Sequence, residues 1–220
     1  MGQSVVKIKY SRSVTKVTTN LKYIGFRSRE LNQDKGYFTA TENRTKDYRP
    51  FLQEMTSHPA LQHGATVKAH MMLLSFRRDD YDALRAGGAK IEDVTREWVQ
   101  QLERNKGMQL QWMASFHDSA THPHVHLTIR SVGTTATGQN KRLFITQDDM
   151  PVLRQQLDDQ LRRKAQYPVL PDLSDTLRAP FLASMRTFMR DTFDTRDLDY
   201  RPQRLRRKQR REQQHRGPSL

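Results

Sequence analysis

The sequence predicts an α+β fold: a central antiparallel β-sheet with helices packed on it, followed by a basic C-terminal tail. Three observations predict it. Short apolar or alternating runs of strand length occur at residues 4–10, 68–76, 108–116 and 124–132. Segments with helical i, i+3/i+4 spacing lie between and after them. The strands and helices alternate without repeats, a pattern in which neighbouring strands are expected to be antiparallel.

Taken in order, residues 4–10 (SVVKIKY) alternate well enough for an edge or half-buried strand. Thr18, Thr19 and Asn20 offer caps for a helix over LKYIGFRSRE, with Leu21, Ile24 and Gly25 on one side. Residues 31–46 read as polar and turn-like, and Tyr48 to Met55 as a short helix. KAHMMLLSF (68–76) is the most apolar run, a strand ended by Arg77-Arg78-Asp79-Asp80. Residues 79–106 read as helical, broken at Gly87-Gly88. Ile91, Val94, Trp98 and Leu102 form the apolar stripe of the stronger half. Strands at 108–116 and 124–132 flank a polar turn, and GTTATGQNKR (133–142) reads as a hairpin loop. Thr146 caps a helix from Asp148 to about Ala165, with Pro151 in the first turn, where proline is tolerated. A proline-rich connection precedes a last helix over roughly 174–195. The expected division is one domain over 1–198 and a tail over 199–220.

The charge balance narrows the partners. Lys plus Arg number 38 against 24 for Asp plus Glu, a formal net charge of +14. Such a field attracts polyanions and supplies affinity for phosphate backbones that ignores base sequence. The tail from about Tyr200 concentrates it in Arg204, Arg206, Arg207, Arg210 and Arg211. It reads as a disordered segment that contacts a nucleic-acid backbone or recruits a partner. No apolar run is long enough for a membrane span. The N-terminus has no apolar signal core, and Val6 breaks a myristoylation match. A cytoplasmic protein without membrane insertion is expected. With no cysteine in the chain, thiolate chemistry and cysteine metal sites are excluded.

Any metal must therefore be held by His, Asp or Glu, and four of the eight histidines fall between residues 117 and 126. On a strand, positions i and i+2 share a face, so His124 and His126 are expected to converge on one ion. His117 approaches from the preceding strand across the turn. His122 is a substitute ligand if the strand starts early, though Pro123 disturbs that geometry. A histidine-rich turn without metal is the plain alternative, made less economical by two apolar strands flanking four histidines. Imidazoles with open positions suit Mn, Zn, Ni or Co, and Mg is also compatible; Mn or Mg is the leading expectation. Asp118 reads either as a carboxylate orienting a ligating histidine or as a turn residue.

HDSATHPHVHLTI resembles the third motif of plasmid-mobilisation relaxases of the HUH endonuclease superfamily, with His117, His124 and His126 as the triad. NLKYIGF (20–26) is similar to the first motif, with its N-terminal tyrosine, and MMLLSF (71–76) to the second, an apolar strand ending in Ser-Phe. The resemblance spans about residues 1–145 and lies nearest the tyrosine-using MobP and MobL-like branches. His122 makes the cluster richer than the family's minimal pair.

The resemblance implies histidines on central strands and a nicking-rejoining reaction. Tyr23 attacks the scissile phosphate of single-stranded DNA at an origin of transfer, giving a 5′-phosphotyrosine and a free 3′-OH. A phenol ionises near pH ~10, so attack needs a base or the influence of a cation. The resemblance gives Ser75 a hydrogen bond to DNA near the nick and makes Asp118 or a histidine the acceptor of the tyrosine proton. Arg27 and Arg29, close after Tyr23, and Lys141 and Arg142 in the hairpin loop are further candidates for DNA contact. Relaxosome accessory proteins and a coupling protein are the partners it implies. Tyr10 is the reserve nucleophile, though more consistent with packing, and His70 reads as structural.

Three other readings compete. His122-Pro123-His124-Val125-His126 approaches a histidine-triad nucleotide hydrolase pattern, but Pro123 fits it poorly and that chemistry needs no tyrosine. A rolling-circle initiator or transposase of the same superfamily usually places its tyrosine after the histidines. A non-catalytic basic DNA-binding protein leaves the histidine cluster unexplained.

Overall fold

The computed structural model describes residues 4–27 and 36–165. The expected helix at 174–195, the basic tail, the boundary at residue 198 and Arg29 lie outside the described residues.

A four-stranded antiparallel sheet forms the centre, in the order β1 (Val5–Ser11), β2 (Ala69–Ser75), β4 (His124–Arg130), β3 (Trp112–His117). β1 is an edge, as its alternating pattern implied. β2 and β4 are central and buried at every position, which is why they read as nearly continuous apolar runs. Residues directly opposite on antiparallel neighbours share a face. The register aligns Ser75 with His124 and His124 with His117. It also aligns Leu73 with His126 and His126 with Ser115. The three histidines therefore stand on one face.

The other face is the main core. Val6, Met72, Leu74, Val125, Leu127, Ile129, Trp112 and Ala114 project from it. They meet α3 (Arg78–Ala86), α4 (Ile91–Lys106) and α5 (Asp149–Ala165). The predicted α4 stripe is buried, and Trp98 also donates its indole N–H to the Leu153 carbonyl on α5 at 3.0 Å. Truncating a tryptophan in such a position costs about 3–5 kcal/mol. Gly107 ends α4 in the left-handed conformation at φ 61°.

A second cluster covers part of the histidine face. It joins Val17 and Leu21 of α1 (Val14–Lys22), Phe51 and Met55 of α2 (Arg49–Ser57), Ile24 and Tyr37 to Ala69 and Met113 of the sheet. Helices on both faces thus make three layers.

Several boundaries differ from the sequence expectation. The first helix starts at Val14, capped by the Ser13 hydroxyl, which accepts from the Lys16 amide at 3.3 Å. Thr18 is interior and turns its hydroxyl back to the Val14 carbonyl at 2.9 Å. Within the stretch expected to be polar, Tyr37 and Phe38 are buried, and Phe38 bridges to Ala114 of β3. β3 begins only at Trp112, because Gln109 pairs instead with Thr134, outside the central sheet, through two backbone hydrogen bonds of 2.8 and 3.0 Å. The loop at 133–142 is the expected hairpin, β5 (Val132–Thr134) with β6 (Asn140–Arg142). Before α5 the Thr146 amide and hydroxyl donate to the Asp149 carboxylate, at 2.6 and 3.1 Å.

Candidate metal centre and the tyrosine turn

His117, His124 and His126 form a compact trio. Ring centroids lie 4.7–5.0 Å apart, and one nitrogen from each ring falls within 4.8 Å of the others. All three rings are buried. Burial disfavours the imidazolium form, pulling His117 down to about 4, His124 to about 3 and His126 well below the usual value. Each ring is neutral at pH 7, the state in which imidazole binds a cation. The donor set fits a divalent metal.

Backbone carbonyls orient two of the rings. His117 donates from Nε2 to the Ile24 carbonyl at 2.7 Å, which leaves its lone pair on Nδ1. His124 donates from Nδ1 to the His122 carbonyl at 2.7 Å, which leaves its lone pair on Nε2. His122 itself does not join the trio. It precedes β4 in the turn, where Pro123 keeps it out of the ladder, and its contribution is the carbonyl.

Asp118, expected beside a ring or in the turn, belongs to the turn. Its carboxylate takes Arg78 at 2.6 Å, and Arg78 also donates to the Ser119 carbonyl and to Asp82. Arg78 thereby pins the 118–119 turn to α3. Ser75 is brought into the His124–His117 row and is buried there. His70 and Tyr10 sit on the opposite face. His70 faces the Ser131 hydroxyl at 2.8 Å, and Tyr10 donates to the Ile145 carbonyl at 2.6 Å, which makes both structural.

Tyr23 opens a π-helical turn, Tyr23–Arg27, that continues α1. Local widening of this kind often marks functional positions. Tyr23 is 40% exposed, while its neighbour Ile24 is buried and receives both His117 and the Ser115 hydroxyl on one carbonyl, at 2.7 and 3.0 Å. The turn is therefore fastened to the trio one residue from Tyr23. Gly25 permits this approach: a Cβ there would lie 2.4 Å from the Tyr37 ring. Tyr37 is locked in turn by donating to the Leu21 carbonyl at 2.6 Å. Nothing in LKYIGF alone signals that the Ile24 carbonyl is the contact; only the fold shows it. Arg27 ends the turn.

Lys141 and Arg142 do not reach this site. Lys141 donates to the Lys106 carbonyl at 2.6 Å, and Arg142 to the Ala60 and Val67 carbonyls at 3.2 and 2.9 Å. Their hairpin follows the Arg130 end of β4, a strand length of about 20 Å from His124. They are clamps on neighbouring loops rather than parts of the histidine site.

One sheet face thus bears three neutral imidazoles whose nitrogens could hold a divalent metal, with the tyrosine-bearing turn hydrogen-bonded to one of them. The family model for relaxases, described as "MobA/VirD2-like, nuclease domain", matches residues 26–157, and the chain belongs to that family of DNA-nicking relaxases. The match begins three residues after Tyr23. Among curated proteins none matches the sequence. Similar solved structures include the conjugative relaxase TrwC with oriT DNA in a metal-bound form, at 12% identity and TM-score 0.49, covering 86% of this chain and 83% of that one. Another comes from work on vancomycin resistance transfer in Staphylococcus aureus, at 12% identity and TM-score 0.46, covering 78% of this chain and 100% of that one. Among the described residues no helix is long and apolar enough to cross a membrane.

Proposed function

We propose that this relaxase nicks and rejoins single-stranded DNA at an origin of transfer, in the bacterial cytoplasm, with Tyr23 as nucleophile and His117, His124 and His126 as ligands of a divalent metal. The observation that carries the reading is the hydrogen bond from His117 to the carbonyl of Ile24, the residue after Tyr23. It couples the placement of the tyrosine to the placement of the ligands.

The Tyr23 oxygen forms a bond to phosphorus as the bond to the leaving 3′ oxygen breaks, so the phosphodiester is exchanged for a phosphotyrosine and is not hydrolysed. The phenol proton passes to solvent with attack, and solvent returns a proton to the 3′ oxygen as it leaves. The bound cation, Mn or Mg foremost, would supply charge stabilisation at a nonbridging phosphate oxygen. The histidines' part is to remain neutral and fixed, with carbonyls setting the tautomers of His117 and His124. The 40% exposure of Tyr23 is consistent with a strand reaching it from solution. Resealing reverses the same exchange when the 3′-OH attacks the phosphotyrosine.

The test is incubation of the full chain with labelled single-stranded DNA from its own element and Mn²⁺, followed by denaturing gels and mass spectrometry. A nucleotide adduct on Tyr23, lost in Tyr23→Phe and on chelation, is the expected result. Cleavage that persists in Tyr23→Phe would remove the tyrosine from the mechanism.

A further inference from the structure

Beside the Tyr23 turn lies a cleft of about 400 Å³ lined by Lys22, Phe26, Lys46, Asp47, Tyr48 and Arg49. Its volume is at the lower end for small-ligand sites. Lys22 and Phe26 stand four residues apart around Tyr23, so they share one side of the helical turn. Phe26 and Tyr48 each meet the buried Tyr37 ring edge-on, at 5.6 and 6.2 Å between centroids. Tyr37 is itself held by the Leu21 carbonyl, so the two partly exposed aromatics rest on a fixed floor. Asp47 is engaged by Arg49, through its amide at 2.9 Å and its guanidinium at 3.4 Å. That pairing offsets the acidic charge and leaves the exposed Lys22 and Lys46 to give the cleft its sign.

We propose that this cleft is a subsite for one nucleotide of single-stranded DNA flanking the cut phosphate, its base against Phe26 and Tyr48 and its phosphate beside Lys22 and Lys46. The inference rests on the reading of Tyr23 as the nucleophile, because it places the subsite one residue from the attacking side chain. Aromatic faces combined with cations suit an unpaired base on a phosphate backbone, and stacking of that kind tolerates any base. A duplex keeps its base faces covered by neighbouring pairs, so it has nothing to offer these rings.

The test compares the wild-type full chain, Lys22→Glu/Lys46→Glu and Tyr23→Phe by fluorescence anisotropy with a labelled oligothymidylate, over a range of salt. An abasic strand of equal length runs in parallel, and thermal melts confirm folding. The double variant is expected to lose about tenfold or more in affinity, with a log–log salt slope shallower by about 0.7, one phosphate contact's worth on a single strand. The abasic strand is expected to bind the wild type more weakly. A 5-iodouracil strand is expected to photocrosslink to the peptides holding Phe26 or Tyr48. Unchanged affinity and slope in the double variant, equal binding of the abasic strand, or crosslinks confined to other peptides would each overturn the subsite. Tyr23→Phe separates the two readings. Lost adduct with an unchanged salt slope in the lysine variant leaves the nucleophile standing without the subsite. The converse leaves the subsite without the nucleophile.

Discussion

Acidification from pH 7.5 to 5.5 in the absence of metal is expected to weaken the fold sharply, and the histidines set the size of the effect. His70, His117, His124 and His126 are all buried, with their protonation pushed far below the ordinary histidine value, to about 3 for His70 and His124 and about 4 for His117. In the unfolded chain each ring titrates near pH ~6.5. The unfolded state therefore binds more protons than the folded one below that value. Stability is complete above pH ~6.5 and falls as acid protonates the unfolded rings, until the folded rings also protonate. One pH unit below 6.5, each such ring removes about 1.4 kcal/mol, and four remove about 5–6 kcal/mol. That equals much of the ~5–15 kcal/mol that holds a typical domain together. Ordinary carboxylates titrate near pH ~4, below this window, while Asp158 and Glu103, whose carboxyls burial pushes up, act in the opposite sense and offset part of the loss. The assay is urea unfolding followed by circular dichroism at pH 7.5, 6.5 and 5.5. A His70→Gln variant should show a shallower pH dependence by about one ring's share. Loss of less than about 1 kcal/mol between the two extremes would mean that the rings are hydrated and that their neutrality at the site has another origin.

Two substitutions test other parts of the reasoning. Gly25→Ala puts a Cβ 2.4 Å from the Tyr37 ring, and overpacking of this kind costs about 1–3 kcal/mol. A lower melting temperature and weaker metal binding by calorimetry are expected, since the Ile24 carbonyl must shift. Gly64→Ala, with open space around it, serves as the neutral control, and unchanged metal affinity in Gly25→Ala would break the link between turn and trio. Arg142→Ala removes two hydrogen bonds to loop carbonyls and should cost about 1–3 kcal/mol with no effect on DNA cleavage below its melting temperature. A fall in cleavage without a change in melting temperature would return Arg142 to the DNA surface.

Local patterns carried the fold a long way. The apolar runs of β2 and β4 announced central strands, and Ile91, Val94, Trp98 and Leu102 announced the buried side of α4. Errors fell where one residue type serves two roles. Thr18 and Thr19 have the chemistry of caps, yet Ser13 takes that position because its backbone is extended at φ −106°, ψ 121°. Tyr37 and Phe38 looked like residues of a polar loop because their burial depends on α1 and β3, remote in sequence.

By itself the sequence determined that His124 and His126 face the same way, because strand periodicity is local and strict. It also determined that the chain carries a strong positive field and that any metal must be held without cysteine thiolates. Only the tertiary structure decided that His117 completes the trio while His122 lends a carbonyl, that Asp118 belongs to Arg78, and that Lys141 and Arg142 clamp loops. Each of those outcomes depends on strand register and on which backbone carbonyl lies within hydrogen-bond reach. Such distances join residues as far apart as Ile24 and His117, and no local pattern encodes them.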